Sequence, residues 1–184
     1  RTLESGYDDW CVADMAALLG DTATERIFRR RAGFYKNLFD PETRLFRGKN
    51  TAGQFRSPFD PLAATSPMNN PGDYTEANAW QYFWTPAQHD LPGVADLLGG
   101  RPGLTRHLDT FFSREAQRAD KFLGQEAMIG QYAHGNEPSH HVAWLYAFSD
   151  TPQTGHRLLR RIVREFHNNT PDGMIGNDDC GQMS

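Results

Sequence analysis

Apolar residues recur at three- and four-residue steps along most of this chain, and glycine or proline closes most of the runs. That period commits a backbone to helices that each bury one stripe, and so to packing helix on helix. Leu3, Tyr7, Trp10/Cys11, Met15 and Leu18/Leu19 predict a buried stripe on a first helix, ended by Gly20. Thr22-Ala23-Thr24-Glu25 has the form of a capping box and opens a second helix, lined by Ile27, Phe34 and Leu38. Asp40-Pro41 stops it near Phe39, because the residue before proline avoids helical backbone. A third helix is predicted from position 74 or 75 to 84, ended by Pro86. A fourth covers 91–98, with Asp90 as its cap and Gly99-Gly100 as its terminator. A fifth covers 104–112, a sixth runs from the Asn136-Glu137-Pro138 turn to 148, and a seventh covers 153–166.

Two connections are long. Residues 41–73 hold Leu45-Phe46-Arg47 and Gln54-Phe55-Arg56, predicted to pair as a small hairpin, and residues 113–135 form the other. Short links alternating with long ones describe helical hairpins stacked in a ring or solenoid, whose long connections gather on the face that carries the site. The predicted class is all-α. With 184 residues, one domain with a substantial core is expected. The net charge of -4 argues against a nucleic-acid partner, and Arg29-Arg30-Arg31 reads as a solvated helix face. No apolar run approaches the roughly 18 residues of a membrane span. Cys11 and Cys180 give no disulfide framework.

Three polar runs carry the chemistry. Glu76, in Asp73-Tyr74-Thr75-Glu76-Ala77-Asn78-Ala79-Trp80-Gln81-Tyr82, is expected at the first turn of the third helix. Two roles fit it: a carboxylic acid kept protonated beside an aromatic wall, or a first-turn glutamate complementing the helix dipole. Gly135-Asn136-Glu137-Pro138-Ser139-His140-His141 offers oxygens for a hard cation or a sugar hydroxyl. It also has the form of a helix start, with Asn136 as cap and Pro138 in the first turn. His134, His140 and His141 invite a zinc reading, though without a neighbouring cysteine or an HExxH spacing. Asp178-Asp179, between Gly176-Asn177 and Cys180-Gly181, is either a solvated acidic turn or a pair of carboxylates sharing a cation, a water or a hydroxyl. Asp8-Asp9-Trp10 and Asp60 could each hold a sugar hydroxyl or serve as caps and turns.

Taken in order, these runs resemble glycoside hydrolase family 92, the calcium-dependent exo-acting α-mannosidases. Tyr7-Asp8-Asp9-Trp10, Phe39-Asp40-Pro41-Glu42-Thr43 and Pro58-Phe59-Asp60-Pro61 also fit, so the resemblance spans the whole chain. It implies a partial (α/α)6 toroid, truncated at both ends, with the parent polypeptide supplying a β-sandwich and the rest of the barrel. It also implies a secreted, periplasmic or cell-surface protein, Ca2+ as cofactor, and a mannose-containing oligosaccharide or N-glycan as substrate. Carried over by motif, Glu76 is the general acid and Asp179, beside Asp178, the base that activates water. Asn78, Trp80, Gln81, His134, Glu137, His140, His141 and Asn177 are expected around the sugar, with Asn136 and Glu137 at the calcium. The family inverts configuration, which requires acid and base to stand about 6.5–9.5 Å apart. Three other readings remain open: a non-catalytic calcium-dependent glycan-binding module, a zinc hydrolase, and a piece too short to act alone.

Overall fold

The computed structural model describes residues 2–66, 72–74, 77–85, 87–115, 127–171 and 173–176. Helices α1 (Thr2–Leu18) and α2 (Thr22–Ala32) form a hairpin across Gly20, whose φ of 75° is readily reached only without a side chain. The cap of α2 is Asp21, one residue earlier than the predicted box. Its carboxylate accepts from the Thr24 amide at 3.0 Å and the Thr24 hydroxyl at 2.7 Å.

Of the stripe predicted to be buried on α1, Leu3 is buried and Trp10 partly so, but the rest faces outward. Met15, Leu18 and Leu19 are 57%, 82% and 76% exposed, whereas Leu3, Gly6, Asp9, Ala13 and Ala16 face the chain. Small residues let α2 approach closely, and Asp9 is held there by a two-pronged ion pair with Arg31, at 2.9 and 3.1 Å. Arg29 pairs with Asp14 and Glu25, so two of the three arginines of that run bind acids of this hairpin.

Helix α2 also ends earlier than predicted. A 3-10 turn, Phe34–Leu38, leads into β1 (Phe39–Asp40), which pairs antiparallel with β2 (Leu45–Phe46) in the register Phe39↔Phe46 and Asp40↔Leu45. The predicted partner of Leu45-Phe46 was Gln54-Phe55. What forms downstream is one bridge, Lys49↔Phe55, closed by the Arg56 amide on the Gly48 carbonyl at 2.9 Å. Asp40 decides the pairing. Its buried carboxylate accepts from Arg47 at 2.7 Å, the Thr43 hydroxyl at 2.8 Å and the Glu42 amide at 3.0 Å, which folds 40–47 into a tight turn. Burial alone would raise this carboxyl, but those donors hold it below the ordinary value.

Then come α3 (Ala79–Tyr82), α4 (Leu91–Leu97), α5 (Arg101–Ser113), the hairpin β3 (Met128–Ile129) and β4 (Tyr132–Ala133), a 3-10 helix Glu137–Phe148, and α6 (Pro152–Phe166). Asp90 caps α4 through the Gly93 amide at 2.9 Å, as predicted. The 3-10 helix is longer than the three or four residues usual for that geometry, and α6 packs along it. Tyr35, Phe46, Phe83, Leu98, Leu104, Leu108, Phe111, Tyr132 and Tyr146 form a core between these elements. The described chain is therefore mostly helical, with short strands that trim its loops. None of the described helices is long and apolar enough to cross a membrane.

Candidate functional site

Helix α3 starts at Ala79, not at 74 or 75, because Asn78 is its cap. The Asn78 side-chain oxygen accepts from the Gln81 amide at 3.0 Å, and the Gln81 side-chain oxygen accepts from the Asn78 amide at 3.0 Å. This reciprocal box leaves Glu76 upstream of the helix, so its expected place in a first turn is corrected by the helix boundary. Glu76 itself, together with Asn177, Asp178, Asp179 and Cys180, lies outside the described residues. Its flanks are within them. The Thr65 hydroxyl donates to the Tyr74 carbonyl at 2.7 Å and accepts from the Tyr74 amide at 3.3 Å, while the Thr65 amide donates to the Ala77 carbonyl at 3.0 Å.

Asn78 is committed on its other side too. Its amide nitrogen donates to Gln131 at 2.8 Å, and the Gln131 amide donates to the carbonyls of Arg114 and Glu115 at 3.3 and 3.0 Å. Trp80 is buried, 4.7 Å from the His107 ring between centroids and under the Arg114 guanidinium at 4.9 Å. Gln81 is half-buried and reaches a pocket.

The His134 run follows the β3–β4 hairpin. His134 is 3% exposed, and both ring nitrogens are engaged: Nδ1 with the Tyr132 hydroxyl at 2.9 Å, Nε2 with His167 Nε2 at 3.0 Å. Burial, with the nearby charges of His140 and His167, pushes its pKa down to about 4. His140 stacks on it at 4.8 Å and donates Nε2–H to its backbone carbonyl at 2.8 Å. His141 donates Nε2–H to the Trp84 carbonyl at 2.9 Å, and burial lowers its pKa as well. His140 and His141 spend their Nε2 atoms on backbone carbonyls, and His134 spends its own on the His167 ring. Among the described residues no three His, Cys, Asp or Glu side chains converge as metal ligands.

Asn136 caps the 3-10 helix without using its side chain to do so, and Glu137 follows with a buried Oε1 that has no hydrogen-bond partner among the described residues. A buried carboxylate oxygen left unpaired is costly unless something electropositive meets it. Together with the Asn136 amide oxygen it is a hard oxygen donor of the kind calcium takes, so these residues fit the ion expected there.

Three chain segments meet at one pocket of about 210 Å³, lined by Glu4, Ala77, Gln81, Tyr82, Thr85, Asn136, Pro138 and Ser139. Glu4 stands outside the three polar runs. It accepts from the Tyr82 hydroxyl at 2.8 Å, and burial together with this bond raises the Tyr82 pKa well above its ordinary value. Only its place one turn before Tyr7-Asp8-Asp9-Trp10 could have drawn notice. The third run arrives through glycines. A Cβ on Gly176, whose φ is 98°, would lie 2.5 Å from the Gly135 Cα, so the two backbones touch. The residues entering Asn177-Asp178-Asp179 are thereby seated against those entering Asn136-Glu137. Asp9 and Asp60 do structural work elsewhere: Asp9 in its ion pair, and Asp60 by accepting from the Leu62 amide at 2.9 Å. Asp8 is exposed.

Comparison with known proteins is consistent with this geometry. Residues 1–184 match the model of the glycosyl hydrolase family 92 catalytic domain. A family 92 alpha-mannosidase of Bacteroides thetaiotaomicron, solved in complex with mannoimidazole, superposes with a TM-score of 0.88 at 39% identity, over 98% of this chain and 24% of its own. A family 92 inverting mannosidase of the same organism gives a TM-score of 0.79 at 30% identity, over 99% of this chain and 25% of its own. An uncharacterized secreted glycosidase of Arthroderma benhamiae is 29% identical over 100% of this chain and 24% of its own length. The chain thus spans about a quarter of the length of these relatives, and it belongs to glycosyl hydrolase family 92.

Proposed function

We propose that this chain is part of the catalytic domain of an exo-acting, inverting, calcium-dependent α-mannosidase that removes terminal α-mannose, α-1,2-linked first, from glycans. One observation carries the reading. Residues of the expected acid's run (Ala77, Gln81) and residues of the expected cation run (Asn136, Ser139) line the same pocket. Of the relatives described above, the one that superposes best is an alpha-mannosidase solved in complex with mannoimidazole.

Glu76 donates its proton to the glycosidic oxygen as the bond to the anomeric carbon breaks. Asp179, with Asp178 beside it, takes a proton from water, whose oxygen attacks the opposite face and leaves the product with inverted configuration. Gln81 and Asn136 present amides to the sugar hydroxyls, with Trp80, His134, His140, His141 and Asn177 shaping the surround. Asn136 and Glu137 would hold the calcium, which when bound supplies positive charge and open coordination to two adjacent hydroxyls. Exposed apolar side chains on α1 and the turn after it (Val12, Met15, Leu18, Leu19) and on the last two helices (Trp144, Phe148, Val163) support a barrel that continues on both sides. A helix that is apolar on both faces is normally covered on both. A partial (α/α)6 toroid inside a longer polypeptide, with a β-sandwich and closing helices, is the architecture proposed. The secreted relative favours an extracytoplasmic location.

The test uses the full-length protein, α-1,2-mannobiose and proton NMR of the first product anomer. Release of β-mannose, stopped by chelator and reduced by roughly 10²–10⁴ in Asp179→Asn, is the expected result. Mannose binding without turnover would instead favour a lectin-like module, and recovery with zinc but not calcium a zinc hydrolase.

A further inference from the structure

Thr65 is bonded to the residues on both sides of Thr75-Glu76, through its hydroxyl to Tyr74 and through its backbone to Ala77. Its hydroxyl makes two bonds to Tyr74, 2.7 Å to the carbonyl and 3.3 Å from the amide, and its own amide reaches the Ala77 carbonyl at 3.0 Å. Thr65 and Ala77 thereby form an isolated antiparallel bridge outside any ladder. The neighbourhood is built around this side chain. A Cβ on Gly72 would lie 2.3 Å from the Thr65 methyl, so a glycine is what leaves room for it. The two ends it grips are themselves anchored: Tyr74 is buried and its hydroxyl donates to the Phe46 carbonyl, while Ala77 leads directly into the Asn78 cap.

We propose that Thr65 is a positioning residue for the reaction's acid, acting through Tyr74 and Ala77 on Glu76 between them. The proposal rests on the mannosidase reading and on Glu76 as its acid. A proton donor is effective only within hydrogen-bond reach of the leaving oxygen, and a misplacement of about 1 Å can cost about 10²-fold in rate. Removing the Thr65 hydroxyl releases the Tyr74 backbone on one side of the acid, with the Tyr74 side chain still anchored and the Ala77 backbone bond in place. The loss therefore falls on protonation of the leaving group, not on sugar binding.

The leaving group distinguishes this from a packing role. In the full-length protein, Glu76→Gln, Thr65→Val and Thr65→Ser are assayed on α-1,2-mannobiose, whose leaving alkoxide needs a proton, and on 2,4-dinitrophenyl α-mannoside, whose phenolate does not. Thr65→Val, nearly isosteric, is expected to lower kcat on the disaccharide about 10- to 100-fold, with KM within about twofold. On the dinitrophenyl glycoside it should stay within about threefold of the parent, and Thr65→Ser, which keeps the hydroxyl, within about threefold on both. Equal losses on both substrates, unchanged disaccharide turnover in Thr65→Val, or a Thr65→Ser defect as large as that of Thr65→Val would each overturn the proposal. Glu76→Gln is the control that separates the two claims. If its own loss is the same on both substrates, Glu76 is not the acid, and the assignment fails at that step, before Thr65 is at issue.

Discussion

Asn78→Ala tests whether the site's middle run is held by the network described or by contact with sugar. Two losses add. The cap of α3 goes, worth about 1 kcal/mol. Gln131 Oε1 also loses its Asn78 donor inside the core, where Gln131 is 1% exposed. The Gln131 amide is pinned by the carbonyls of Arg114 and Glu115 and cannot swing to another partner, so leaving that oxygen unpaired costs about 1–3 kcal/mol more. The expected total is about 2–4 kcal/mol of stability. Urea unfolding followed by tryptophan fluorescence is a suitable assay, because Trp80 lies in the helix that Asn78 caps. A double-mutant cycle with Gln131→Ala should then show a coupling of about 1 kcal/mol or more, since each change strands the other's partner. A loss below about 0.5 kcal/mol, or full additivity in the cycle, would refute the reasoning. A rise in KM with unchanged stability would return Asn78 to the role of a sugar ligand.

Two other outcomes are expected. His107 is buried among Trp80, Phe83 and Trp84, and burial lowers its pKa from 6.5 to about 4. The unfolded chain takes up that proton first, so stability is full above pH about 6.5 and falls as pH drops towards 4, by about 3 kcal/mol at most. His107→Phe should flatten that segment of the stability–pH profile, and an unaltered slope would show that another group sets it. Gly176→Ala forces a side chain into a φ of 98° and to within 2.5 Å of Gly135, so kcat/KM should fall at least about tenfold. Wild-type kinetics in that variant would mean that the contact does not seat the acidic run.

Much of the helical layout is legible because its signals are local. Asp90 and Gly99-Gly100 bracket α4 as expected, since a cap and a left-handed glycine act within four residues of themselves. The β3–β4 hairpin is not legible in the sequence because two-residue strands carry almost no periodicity. The apolar pattern of α1 was visible, but its orientation was not. Periodicity says that a stripe exists and not which of two apolar sides meets α2; here Gly6, Ala13 and Ala16 do, because small residues allow the closer approach. The start of α3 is set by the Asn78–Gln81 box, a local signal within four residues. What a linear sequence does not state is that the Asn78 amide nitrogen also bonds Gln131, 53 positions away.

The order of the polar runs, their residue types and their flanking glycines by themselves determined the kind of chemistry and the family. Those features are written in short contiguous segments, where identity alone limits what can be bound. Only the tertiary structure decided which side chains are free for that chemistry. It turned Asn78, Trp80 and His134 inward to hold the frame and left a Glu137 oxygen without a partner among the described residues. It also brought Glu4 to the same pocket as Asn136. Whether a polar atom is spent or available depends on partners far away in the chain, and a linear sequence does not state those distances.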